Sequence, residues 1–115
     1  MKMLINGKAM DAADGAVLKV TNPATGAIID TVPKAGPADV EKAVQAAKAA
    51  QKEWVKVPIY QRVEILMKFL TLVERDKEDL AQTLSQETGK PIFEARCEIA
   101  NIPIAFRAFC EKAKH

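Results

Sequence analysis

The chain has 115 residues, 49% of them apolar, enough to build a core and to exclude an intrinsically disordered segment. Its 17 basic and 15 acidic side chains leave a net charge of +2, and the two signs alternate without clustering. This removes the electrostatic footprint of a nucleic-acid or anionic-membrane binder. No apolar run approaches the roughly 20 residues that span a bilayer, and Asn6-Gly7 comes too early for a secretory leader, so a cytoplasmic protein is expected.

Residues 1–35 read as strand and turn. Leu4-Ile5 is a short apolar pair ahead of Asn6-Gly7, a strong turn dipeptide, and Asp14-Gly15 offers a second turn. Val17-Leu18-Lys19-Val20-Thr21 and Ile28-Ile29-Asp30-Thr31-Val32 are β-rich. Between them lies Asn22-Pro23-Ala24-Thr25-Gly26, where proline fixes φ and glycine supplies a positive one. The two runs are therefore expected to pair as a hairpin over 17–32. A lone hairpin is marginal in water, so it needs something to lie against.

From Gly36 onward the pattern is helical. Pro37 suits a first turn, and Asp39 and Glu41 complement the positive end of the helix dipole. Val40, Ala43, Val44, Ala47 and Trp54 mark one face, with Trp54 expected as a core residue at the helix end, and Pro58 separates this helix from the next. Over 59–75 there are two stripes, Ile59-Val63-Leu66-Leu70-Val73 and Ile65-Phe69-Leu72, which predicts a helix buried between partners. A charged corner, 75–79, leads to a short third helix that ends at Gly89. Pro91 opens a fourth, and Pro103 inside it predicts a kink or break near 99–103.

Residues with chemical potential are few. Glu94 and Glu98 share a helix face, but no third ligand stands at useful spacing, so both read as solvated acids. Cys97 and Cys110, thirteen residues apart on one helix, would be roughly 20 Å apart, beyond disulfide reach. Neither has a histidine to activate it, because His115 is alone and reads as a chain end or tag remnant. The glycines form neither G-x-G-x-x-G nor a P-loop. From the residues alone the chain is a hairpin and four helices without a visible active site.

The order of several short segments adds to this. They are Ile5-Asn6-Gly7-Lys8, Asn22-Pro23-Ala24-Thr25-Gly26 with Ile28, and Ala35 with Asp39-Val40. Ala43-Val44-Gln45-Ala46-Ala47, Trp54, and Arg62 with Leu66 follow. Leu80-Ala81, Ser85-Gln86-Glu87-Thr88-Gly89-Lys90-Pro91 and Glu94-Ala95 with Glu98 complete the series. In this order and spacing the sequence resembles the aldehyde dehydrogenase superfamily. Glu-Thr-Gly-Lys-Pro followed by Glu-Ala is the most specific part. Two features depart from the family pattern: Lys8-Ala9-Met10 has no aromatic residue, and Pro103 lies within a helix.

The resemblance implies an α+β fragment, with 1–35 the hairpin region and 36–115 the helical region of a partial, Rossmann-like cofactor-binding domain. It implies a parent oligomeric oxidoreductase that converts an aldehyde to a carboxylic acid with NAD or NADP, through a thioester on cysteine. The family's nucleophile, general base and nicotinamide contacts would lie beyond the matched residues. No catalytic or cofactor-binding residue is therefore expected in this chain, which would serve as scaffold and be inactive alone. One site carries over: Val20, Thr21 and Glu87 match positions near a structural Na⁺ or K⁺. The implied partners are the remainder of the enzyme or a second copy, with an aldehyde substrate and no nucleic acid or membrane. The competing reading is a free-standing, non-enzymatic helical module that binds proteins through its wide apolar face.

Overall fold

The computed structural model describes residues 1–114; His115, read above as a chain end, lies outside the described residues. The contacts divide the chain into two compact units, residues 1–21 with 26–56, and residues 22–25 with those from 57 onward.

The first unit holds two antiparallel hairpins and one helix. Strands β1 (Met3–Ile5) and β2 (Lys8–Met10) pair so that Met3 faces Met10 and Ile5 faces Lys8. Asn6 and Gly7 have φ of 52° and 71°, the positive pair that a tight two-residue hairpin turn demands. The expected turn thus closes a hairpin of its own. Strands β3 (Val17–Thr21) and β4 (Ile28–Pro33) form the second, with a register shift between Val20, opposite Asp30, and Thr21, opposite Ile28.

Helix α1 (Pro37–Trp54) starts with Pro37 in its first turn, after an extended Gly36. The alternating stripe expected to bury is largely in solvent, with Val40 54%, Val44 52% and Trp54 40% exposed. A hairpin of two three-residue strands is too small to cover it. Of that face, Ala43 and Ala47 are what meets the hairpin, joined by Ala46 and Ala50. Ala43, Ala46, Ala47 and Ala50 line a groove with Leu4, Ile5, Asn6 and Gly7, where small side chains let the β1–β2 turn come close.

The second unit is a helix assembly. In α2 (Ile59–Arg75) the first stripe buries Val63, Leu70 and Val73, with Leu70 only 1% exposed. The second stripe does not follow the expectation of burial between partners. Ile65, Phe69 and Leu72 stay 50%, 45% and 49% exposed, because α3 (Lys77–Thr88) and α4 (Ile92–Lys112) cover one side of α2 only. Ala81 and Ala95, fully buried, let α3 and α4 pack closely, and with Val73 and Ile99 they form the core.

The break expected near Pro103 is absent, and α4 runs unbroken from Ile92 to Lys112. Pro103 can give no N–H to the Ile99 carbonyl, but its ring is buried, so packing replaces the missing bond. Among the described residues no helix is long and apolar enough to cross a membrane.

Candidate functional site

The joint between α3 and α4 is held by a left-handed glycine and side-chain bonds to backbone carbonyls. Gly89 sits at φ 72°, the left-handed conformation that stops α3, and donates its N–H to Ser85 O at 2.9 Å. Ser85 Oγ donates to Lys90 O at 2.7 Å, tying the end of α3 to the joint, and Thr88 Oγ1 donates back to Leu84 O at 2.6 Å. Lys90 Nζ reaches forward to Glu98 Oε1 at 2.5 Å.

Gly89 also faces the segment 22–25. A methyl group at its α-carbon would lie 3.1 Å from Ala24 N and 3.3 Å from Pro23 Cγ. The segment is held for this approach by Asn22, whose Oδ1 accepts the Ala24 N–H at 2.9 Å. The Asn-Pro-Ala-Thr turn and the Glu-Thr-Gly-Lys-Pro joint, about 65 residues apart in sequence, thus meet in one unit. Turn chemistry explains each motif separately; a single sequence carries no signal that they touch.

Two carboxylates are held in unusual settings. Asp39 is 2% exposed. Its Oδ2 accepts the Gly36 N–H at 3.0 Å, and both its oxygens accept the Ala13 N–H at 3.2 Å. These bonds, Gly36's first and Ala13's second, hold its carboxyl below the ordinary 3.8. The sequence reading gave Asp39 a dipole role and missed the tie to Ala13, although Gly-Pro-x-Asp before a helix is a legible capping signal. Glu78 of α3 takes a fork from Arg96 of α4, Nε to Oε2 at 3.0 Å and Nη2 to Oε1 at 2.7 Å, plus Gln82 Nε2 at 3.0 Å. Arg96 first, then Gln82, lowers its carboxyl to about 2. The pair stands at the rim of a cleft of about 290 Å³ floored by Val73, Ile99, Ala100 and Pro103.

The remaining candidates are dispersed. Cys97 is exposed and Cys110 buried, both on α4. Glu94 is exposed, and Glu98 serves Lys90. Among the described residues no group of three His, Cys, Asp or Glu side chains is placed to hold a metal ion. The carried-over cation positions lie in different units: Val20, half-buried, and Thr21, exposed, end β3, and exposed Glu87 lies in the last turn of α3.

This arrangement has clear relatives. The model of the aldehyde dehydrogenase family matches residues 10–115. The chain belongs to that family. It is 41% identical over 110 residues to a glutarate-semialdehyde dehydrogenase of Pseudomonas putida, covering 96% of this chain and 23% of that protein. A crystal structure of an aldehyde dehydrogenase from Brucella melitensis biovar abortus superposes with a TM-score of 0.93 at 38% identity, covering 98% and 23% of the two chains. An E. coli enzyme described as NADP dependent gives 0.91 at 35% identity, covering 96% and 23%. The chain therefore spans about a quarter of the length of these relatives.

Proposed function

We propose that this chain is the scaffold portion of an enzyme that oxidises an aldehyde to a carboxylic acid with NAD⁺ or NADP⁺. The observation that carries the reading is the family match over 10–115, on a chain that amounts to 23% of a semialdehyde dehydrogenase relative. That relative points to a short aldehyde bearing a carboxylate as the substrate class. Residues 1–115 would belong to the cofactor-binding domain, with the nucleophilic thiol and general base supplied by other sequence.

The chain's own residues do not fit a dinucleotide. Gly36 is the glycine at a helix start, but its N–H is engaged by Asp39 Oδ2, and a buried carboxylate there would repel a phosphate. The joint at Gly89 and its contact with Pro23 and Ala24 give the chain a structural part instead. Val20, Thr21 and Glu87 are the positions that the family resemblance offers to Na⁺ or K⁺, a hard cation suited to oxygen donors. The exposed apolar stripes would be covered by the remainder of such an enzyme or, when the chain is made alone, by another copy.

The intact mass of the protein purified from its source tests this reading. The expected result is several times 12.6 kDa. A stable cellular product of 12.6 kDa without a companion polypeptide would overturn it.

A further inference from the structure

Asparagine followed by glycine carries chemistry of its own. The amide carbon of the asparagine side chain is an electrophile. The backbone nitrogen of the next residue closes a five-membered ring on it where no side chain crowds the approach. The chain has three asparagines, Asn6, Asn22 and Asn101, and their surroundings differ.

Asn6 and Gly7 are both exposed at the tip of the β1–β2 hairpin. The ladder ends at the Ile5–Lys8 pair, so the two turn residues lie outside it. A methyl group at the Gly7 α-carbon would meet nothing within 4 Å. Strands of three residues are marginal alone, so the turn opens at low cost and releases Asn6 from its φ of 52°. Asn22 precedes Pro23, whose nitrogen has no hydrogen to lose, and its Oδ1 accepts the Ala24 N–H at 2.9 Å. Asn101 precedes Ile102 inside α4, where the helix engages the N–H and a branched side chain crowds it. Asp14-Gly15 has an equally open glycine, but a carboxylate is a poor electrophile, and Asp14 Oδ1 accepts the Ala16 N–H at 2.9 Å.

We propose that Asn6 is a self-modification site, at which the Gly7 nitrogen attacks the Asn6 side-chain amide and the turn converts to isoaspartate. The Gly7 nitrogen gives its proton to solvent and bonds to Cγ of Asn6. Ammonia leaves, and a succinimide remains. Water then opens the ring. Cleavage at the main-chain carbonyl gives isoaspartate, and cleavage at the side-chain carbonyl gives aspartate. One ammonia leaves and one water enters, with no oxidant or reductant. Isoaspartate routes the main chain through the former side-chain methylene, which adds one carbon to a turn that closes on two residues. The Ile5–Lys8 pair then loses its register, and Ile5, 9% exposed, leaves the groove that it shares with Ala43 and Ala47. This inference goes beyond the enzymatic reading and does not depend on it.

Ageing the purified chain for days in mildly alkaline buffer tests the site. Peptide mass mapping, with fragmentation that separates isoaspartate from aspartate, is the readout. The expected result is the amide-to-acid mass change at Asn6, with isoaspartate in excess, and unchanged Asn22 and Asn101. Gly7→Ala should lose most of the product, because the new methyl crowds the attacking nitrogen. Hydrogen exchange of the aged chain should be faster over residues 3–10. Asn6→Asp, which adds the charge but keeps a favoured turn, should exchange like the fresh native chain. An aged chain whose Asn6 is still an amide would overturn the inference, as would conversion of Asn22 or Asn101 at a similar rate. A hairpin loosened as much by Asn6→Asp as by ageing would overturn the structural consequence.

Discussion

Residues 1–21 with 26–56 and residues 22–25 with those from 57 onward are held together by different physics. In the first unit the most buried side chain of the helix is an acid, Asp39, which ties the helix start to Ala13 through backbone N–H bonds. Ile5 and Ala12 are buried, but Val17, Leu18, Ile28, Val40 and Val44 remain exposed. In the second unit the buried positions are apolar, Leu70, Ala81, Ala95 and Ile99, and the ion pair Glu78–Arg96 stays at the surface. A polar tie fixes geometry at few points, whereas packing fixes many at once. The helical unit should therefore carry most of the stability, and the hairpin unit should loosen first.

Leu70→Ala gives the largest effect that this comparison implies. It removes the most enclosed large side chain, a change that costs about 2–5 kcal/mol in well-packed cores. Chemical denaturation should show the helical signal lost at lower denaturant, while Val44→Ala, on an exposed position of α1, should stay within about 0.5 kcal/mol. Equal effects would erase the contrast.

Gly89→Ala should come next. The left-handed backbone costs a residue with a β-carbon about 1–2 kcal/mol, and the new methyl would press on Ala24 N at 3.1 Å. Gly26→Ala, at φ 73° but with nothing near its α-carbon, should carry the backbone cost alone. The difference between the two melting temperatures reads the contact between motifs.

Acid sensitivity gives the smallest effect. The folded carboxyls of Asp39 and Glu78 lie below 3.8 and, for Glu78, down from 4.5 to about 2. The unfolded chain therefore binds more protons, and both contributions are complete above the ordinary values and fade as pH falls through the folded ones. Melting from about pH 6 down to about pH 2 should show Glu78→Gln removing part of the acid loss from the helical unit. Asp39→Asn should remove part of it from the hairpin unit, with faster exchange of the Ala13 amide.

The sequence makes the helices legible because their boundaries are local chemistry. Pro37, Pro58, Gly89 and Pro91 each mark an end within one residue of where the structure has it. Periodicity located α2 but could not say which stripe would be covered, since that depends on how many neighbours the chain provides. Pro103 does not break α4 for a related reason: its local cost is offset by burial that only the assembled helices create. The functional reading came from ordered motifs, whereas the meeting of Pro23 with Gly89 and the tie of Asp39 to Ala13 are long-range contacts, which residue spacing does not encode.

The central claim is that this chain is scaffold and needs other sequence for chemistry. It is tested most directly by supplying the purified 115-residue chain with glutarate semialdehyde and NAD⁺ or NADP⁺ and following the reduced cofactor. The expected result is no formation above the protein-free rate. Turnover by the native chain that disappears in Cys97→Ala or Cys110→Ala would contradict it.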